Sequence, residues 1–405
     1  MTIKTFKTRI YPTKNQKEYF RKAFGIRRFV WNWGLSNYLD SLDGKPKTAF
    51  DLQKELNNGL VKDENYAWLS EVNSMVRGES LKDLGLSIKR YHDEQREARK
   101  TTSYVDSEKF KPKYKSKKHS INSFRMYNKG NPVVINGKKH FYLTTIKSKK
   151  NRLNIKCAES IRFLNSDNIK FCTITISEYP LNEFYASITY EITNHKVNKP
   201  NEDTKIGIDM GMKTPLTCYD GEKSYKLNPL DRIKKAERKR EKYNMKLSKK
   251  LESYRKQRKQ SAYIKGFKYR ESKRYLKTKQ KLQKAYQREE NIKKDFREKT
   301  TTWLVKNYHT INIEPFTNGF KKSNRAVSRI SQYLFYERLK QKAELYDTII
   351  NWISWEPTTQ TCSSCGHRFI KDEKLSLKDR KYICPNCNLT LDRDINAAKN
   401  IYNLK

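Results

Sequence analysis

The sequence predicts an α/β protein carrying an additional antiparallel β region. Three observations lead to that prediction. From residue 203 onward, two strand-like runs, a long helical stretch, a short strand, an amphipathic helix and another strand follow one another, which is the order of an α/β unit. Between residues 130 and 192, the runs "HFYLTTI", "IKFCTITIS" and "EFYASITYEIT" have the composition and period of strands in an antiparallel sheet or barrel. Near the end, two C-x2-C pairs stand eighteen residues apart, the spacing of a small metal-held module.

The elements follow in order. "TIKTFKTRIYPT" alternates and ends at Pro12, a short first strand. In "TKNQ", Thr13 and Gln16 form a capping-box pattern, so a helix starts there. Phe20/Phe24 and Phe29/Trp33, each pair four apart, give an aromatic helical face, and helical patterns run to about residue 100 with a break at "LDGKPK". Residues 110–128, "FKPKYKSKKHSINSFRMYN", are basic and aromatic with no helical period. The polar, proline-containing "NHKVNKPNEDTK" reads as a linker. "KIGIDMGMKTPLTCYDG" then gives a strand bearing Asp209, a glycine turn and a second strand. From about 229 to 307 the chain is helical and very basic, with Ile292, Phe296 and Trp303 as its apolar stripe. "HTINIEPF" is a strand ending in Glu314, "RISQYLFYERLKQKAELY" an amphipathic helix, "DTIINWIS" a strand and "LDRDINAAKNI" the entry to a closing helix.

Composition narrows the function. The 405 residues include 88 Lys and Arg against 44 Asp and Glu, a formal net charge of +44. A charge of that size opposes compaction unless a polyanion neutralises it, so a long nucleic-acid contact is expected. A membrane partner is not, because no apolar run approaches the ~20 residues of a spanning helix and no secretion signal opens the sequence. The 26 Tyr, 17 Phe and 6 Trp serve mainly as core, with some placed among lysines where they can stack on unpaired bases. Cys157, Cys172 and Cys218 are scattered and are expected as buried thiols in a reducing compartment.

Two groups of residues carry chemistry. Cys362, Cys365, Cys384 and Cys387 offer four thiolates, which close a tetrahedral shell around one structural Zn²⁺. Gly366 and Asn388 follow the pairs and permit tight turns; His367 is expected to be solvated. The second group is acidic. Asp209 lies inside one apolar strand and Glu314 ends another, positions where a charge is costly unless it is paired or holds a cation. Asp392 and Asp394 start the closing helix, where an aspartate is also a natural cap. Three such acids at one point would bind Mg²⁺, leaving coordination positions for a phosphodiester, and a pair of metals would activate water and stabilise the leaving oxygen.

These stretches bear a resemblance. "IGIDMGMKTP", "INIEPF" and "LDRDINAAKNI" look like the three acidic motifs of a RuvC-like nuclease domain, which has the RNase H fold. "PTTQTCSSCGH" followed by "CPNCNLTLDRDINAAKNI" resembles the C-terminal signature of the TnpB proteins, transposon-encoded relatives of type V CRISPR effectors. "TFKTRIYPTKNQKEYFRKAFGIRRFVWNWGL" and "FKPKYKSKKHSINSFR" resemble that family's opening and internal basic segment. The resemblance implies a Mg²⁺-dependent, RNA-guided DNA endonuclease. Its partners would be a guide RNA from the transposon end and double-stranded target DNA bearing a short flanking motif, and it would work in a prokaryotic cytoplasm. It implies Asp209, Glu314 and Asp394 as catalytic metal ligands, with Asp392 left as a cap. One departure is Pro315, where the family commonly has Asp or Asn.

The implied organisation is a wedge β-barrel (1–12 and 110–195) with a helical recognition lobe inserted at 13–109. An RNase H-like nuclease (203–357 and 391–405) follows, with a four-cysteine zinc module inserted at 358–390. Lys111, Lys113, Tyr114 and Lys115 are candidate nucleic-acid contacts, and the basic helices 229–307 are expected against the guide–target duplex. Two other readings share parts of this pattern. A DDE-type transposase also uses three carboxylates, and a nuclease-silent RNA-guided repressor binds without cutting. The cysteine insert speaks against the first and the intact acids against the second.

Overall fold

The structure, a computed structural model, describes residues 2–42, 45–101, 110–117, 122–127, 133–145, 152–179, 182–193, 198–211, 214–261, 272–314, 330–353, 357–370, 375 and 379–404. Pro315, Arg329 at the start of "RISQYLFYERLKQKAELY" and part of the 229–307 stretch lie outside them. The chain divides into two compact units, Met1–His195 and Lys196–Lys405.

The first unit opens with strand β1 (Thr2–Ile10) and helix α1 (Lys14–Leu39). The capping box forms as the sequence indicates: the Thr13 hydroxyl accepts from the Gln16 amide, and the Thr13 amide donates to Gln16 Oε1. One continuous helix carries both aromatic pairs. A second box, Thr48 with Asp51, starts α2 (Ala49–Asn58), and α3 (Ser74–Thr101) follows. Strands β2 (Asn122–Tyr127), β3 (Val133–Asn136), β4 (His140–Thr144), β5 (Arg152–Lys156), β6 (Ile169–Tyr179) and β7 (Glu183–Ile192) form two antiparallel sheets, ordered β1-β7-β6-β2 and β3-β4-β5. An isolated bridge between Ile10 and Cys157 links their ends.

Helices and strands of this unit share one hydrophobic core. Phe20 packs on Phe124 and on Phe184, each at 5.8 Å between ring centroids. β2 falls within the stretch whose lysines hid its alternation. Phe124 and Met126 are buried, while Arg125 points the other way and pairs with Glu79 and Asp83 of α3.

The second unit is an α/β layer. β8 (Lys205–Asp209), β9 (Leu216–Tyr219) and β10 (Ser224–Leu227) run as an antiparallel meander. α4 (Leu230–Ser261) and α5 (Lys273–Asn307) pack on each other, with Arg240 of one holding Glu289 of the other at 2.7 Å. β11 (Thr310–Ile313) then pairs parallel with β8, α6 (Gln332–Tyr346) crosses over, and β12 (Ile349–Trp352) pairs parallel with β11. The sheet order is β10-β9-β8-β11-β12. A hairpin of β13 (Lys381–Ile383) and β14 (Thr390–Asp392) leads into the last helix, α7 (Arg393–Asn403). α7 lies on β8 so closely that a Cβ at Gly207 would fall 2.4 Å from the Tyr402 nitrogen. Cys157 and Cys218 are buried as expected, but Cys172 is only half-buried at its place in β6.

Candidate active site and metal centre

Parallel pairing of β8 with β11 sets Ile208 opposite Ile313. Asp209 and Glu314 are the next residues of these two strands, so they leave the same edge of the sheet. Burial is severe here: Asp209 is only 5 % exposed. Its carboxyl is held well above the usual range, first by that burial and then by the charges of Glu314 and Asp394. Burial likewise raises Glu314, opposed by a hydrogen bond from Thr358. Asp394, 8 % exposed, enters from the first turn of α7. A Cβ placed at Gly211 would stand 3.7 Å from a carboxylate oxygen of Asp209 and equally 3.7 Å from one of Asp394. Oxygens of both acids therefore come close to Gly211, where a Cβ would also stand 2.8 Å from the Thr214 carbonyl oxygen, so a larger residue would crowd this place.

Asp392 and Asp394 have different jobs. Asp392 caps α7, its Oδ1 accepting from the amides of Asp394 and Ile395, while its Oδ2 pairs with Lys226 at 2.7 Å. Asp394 instead meets the Arg380 guanidinium at 3.3 Å.

The cysteines form a closed centre. All four Sγ atoms lie within 4.8 Å of one another, and the pairs Cys362–Cys387 and Cys365–Cys384 are each at 3.6 Å. Four sulfurs at Zn–S distances of about 2.3 Å stand about 3.8 Å apart, so the arrangement fits a tetrahedral Zn²⁺. Among the described residues, no other group of three or more His, Cys, Asp or Glu brings its ligand atoms that close. Asp209, Glu314 and Asp394 do not form a group of that kind among the described residues. Both knuckles turn through left-handed residues, Gly366 at φ +76° and Asn388 at φ +58°. His367 is half-buried rather than fully solvated, edge-on to Phe369.

Several residues that periodicity does not reveal bind the two centres together. Asn396 and Asn400 of α7 both donate to the Thr361 carbonyl, Asn396 accepts from the Ser363 amide, and Asn400 also reaches the Thr358 carbonyl. Thr358 donates to Glu314 Oε1 at 3.0 Å, and Tyr336 donates to the Glu314 carbonyl at 2.7 Å. At the other end of α7, Asn312 donates to the carbonyls of Ile401 and Leu404. The role of Asn396 as a clamp on the first knuckle emerges only from the fold. The four-residue spacing of Asn396 and Asn400, which puts both on one helix face, was the available signal.

The candidate nucleic-acid segment lies in the first unit. Lys111, Lys113 and Tyr114 are exposed, Tyr114 at 59 %. Lys115 differs from the free contact pictured above. Its ammonium sits 3.0 Å from the Trp31 ring centroid, and burial, with Arg27 nearby, pushes its pKa down to about 7. The strap is fixed by its backbone, because Trp31 donates to the Lys113 carbonyl and Asn32 bonds both the amide and the carbonyl of Lys115.

Three family models match the chain: a helix-turn-helix domain at residues 1–43, a "Probable transposase" model at 187–324, and a "Cas12f1-like, TNB domain" model at 333–401. A relative from Streptomyces pristinaespiralis, described as "Putative RNA-guided DNA endonuclease", is 27% identical over 98% of this chain and 88% of its own. "TnpB-like protein L79" of Acanthamoeba polyphaga mimivirus is 24% identical over 98% of this chain and 72% of its own. Among solved structures, the Cas12f1 chain of a Cas12f1–sgRNA–target DNA complex superposes with a TM-score of 0.50, at 15% identity over 96% of this chain and 83% of that one. At that identity the likeness speaks for the fold alone.

Proposed function

We propose that this chain, which belongs to the TnpB family of proteins related to type V effectors, is an RNA-guided DNA endonuclease. It binds a structured RNA transcribed from a transposon end. It reads a short flanking motif in duplex DNA, and base pairing with the guide reads the rest of the target. One site, formed by Asp209, Glu314 and Asp394, cuts the DNA. The observation carrying this reading is the convergence of two strand-end acids with the first turn of α7, where oxygens of Asp209 and Asp394 both approach Gly211. Support also comes from the curated relative named for RNA-guided cleavage. The sheet order β10-β9-β8-β11-β12, an antiparallel meander followed by parallel strands, supports an RNase H-like, RuvC-like nuclease core at 203–357 and 391–405. The zinc module then spans 358–390, and the first unit divides into wedge (1–12 and 110–195) and recognition lobe (13–109).

Each residue has a definable task. Asp209, Glu314 and Asp394 would hold Mg²⁺, for which a buried, mutually repelling oxygen set is the right chemistry. Bound there, Mg²⁺ supplies activation of water and neutralisation of charge on the phosphodiester. Asp209 is walled from bulk water, so its oxygens act in a low-dielectric pocket. Asp392 keeps the first turn of α7 in place. The four cysteines hold Zn²⁺ as a structural ion. Lys111, Lys113 and Tyr114 offer exposed charge and a stacking ring to nucleic acid. Among the described residues no helix is long and apolar enough to cross a membrane, and the proposed setting is the prokaryotic cytoplasm.

The test is expression with native flanking DNA, sequencing of the RNA that co-purifies, and cleavage of a matching target. Asp209→Ala, Glu314→Ala and Asp394→Ala should each reduce cleavage to background while guide-dependent DNA binding persists. Cleavage by all three variants would remove these acids from catalysis, a wild type that binds its target without cutting would leave a guided binder, and a heterogeneous host RNA smear would remove the guided reading.

A further inference from the structure

Glu314 is held at two places by two different elements. Tyr336 of α6 takes its backbone carbonyl at 2.7 Å, which fixes where the residue stands. That bond does not orient the carboxylate, which hangs on three rotatable bonds and is repelled by the neighbouring Asp209. The side chain is oriented by Thr358, whose hydroxyl donates to Oε1 at 3.0 Å. Thr358 is 4 % exposed and lies just before the first cysteine knuckle. Its own carbonyl accepts from Asn400 at 2.7 Å. Asn400 belongs to α7, the helix whose first turn carries Asp394. A short path of hydrogen bonds thus runs from one acid to the helix bearing another, although the two are eighty positions apart in sequence.

The chemistry of the donor matters. A lysine or arginine on Glu314 would compete with a cation for the carboxylate. A neutral hydroxyl aims the group, occupies one lone pair and leaves the second oxygen its full charge. We propose that Thr358 is a positioning residue: it fixes the Glu314 carboxylate relative to the helix of Asp394, so that the acids present a preformed divalent-cation site. This rests on the reading of Asp209, Glu314 and Asp394 as that site. Groups that orient metal ligands in this way commonly change metal affinity by roughly 10–100-fold when removed.

The test uses the full chain with its co-purified RNA and Mn²⁺ as the probe, titrated by the electron paramagnetic resonance signal of the free ion. Asp209→Asn sets the background from RNA. Relative to wild type above that background, Thr358→Val should bind Mn²⁺ about tenfold more weakly, and Thr358→Ser should restore affinity. Zinc content should stay at one per chain in both. In cleavage, Thr358→Val should raise the Mg²⁺ concentration for half-maximal rate by a similar factor, with the rate at saturating Mg²⁺ close to wild type. Wild-type Mn²⁺ affinity in Thr358→Val overturns the proposal, and so does a Thr358→Ser as weak as Thr358→Val. Loss of zinc in parallel with manganese overturns it too, by making Thr358 a support of the knuckle. If Asp209→Asn itself titrates like wild type, the fault lies with the underlying cation-site reading.

Discussion

At the scale of single residues, the acidic site is built at a cost to stability. Asp209 is buried, and Glu314 and Asp394 lie close enough to hold its carboxyl well above the usual range. The unfolded chain releases that proton near pH 4. The native state keeps it to a higher pH, so it binds more protons across the interval, and stability falls as pH rises through it. Asp209→Asn removes the ionisable group with little change in volume. In Mg²⁺-free buffer without chelator, near pH 4, the variant and wild type should melt together. Toward neutral pH the variant should become the more stable, by about 1 kcal/mol, or about 2–4 °C for a unit of this size. Added Mg²⁺ should raise the melting temperature of wild type and leave Asp209→Asn unmoved. A variant that melts below wild type at pH 7 without Mg²⁺ would mean that Asp209 supports the fold.

At the scale of elements, the cysteine module is the part whose removal should spread furthest. Zinc–thiolate binding is folding energy, about 10–16 kcal/mol for structural sites, and Cys384 is a fully buried ligand in this one. Cys384→Ser should lower both the zinc content and the melting temperature of the second unit. Unchanged metal content with an unchanged melt would refute a structural zinc. The module was legible in sequence because its chemistry lies in short spacings: two C-x2-C pairs, each followed by a residue that accepts positive φ. The capping box at Thr13 and the strands β4, β6 and β7 were legible for the same reason, since caps and alternation are local. Asp392 forms the helix cap that its position before α7 offers. β10 was not anticipated; it is an edge strand with Ser224 and Lys226 exposed, and little in its composition separates it from a loop. β2 was obscured by the lysines before it. The clamps at Thr358 and Tyr336 were illegible because bonds to partners distant in sequence leave no local trace, while the four-residue spacing of Asn396 and Asn400 marks a shared helix face without naming what it holds.

At the scale of the whole molecule, the excess of positive charge dominates. A net charge of +44 on 405 residues is not matched by internal pairing. Many of the ion pairs that do form are exposed, such as Lys22 with Glu71 and Lys100 with Glu97, and pairs of this kind contribute little. The residual charge repels itself in the free protein and is relieved only by a polyanion. Each phosphate neutralised releases condensed counterions, so affinity should fall steeply with salt. A footprint of only ~6–10 phosphates would lose about 10³–10⁵ in affinity between about 50 and 200 mM salt, and this chain has charge for a larger one. The measurement is a filter-binding titration of the co-purified RNA across that salt range. It should be paired with melting curves with and without RNA, since a ligand bound by the native state alone raises its stability. The slope should be steep, and RNA should raise the melting temperature most at low salt. A shallow slope with an RNA-independent melt would mean that the lysines and arginines are solvated surface, and the guided-nuclease reading would then lack the contact that its length of nucleic acid requires.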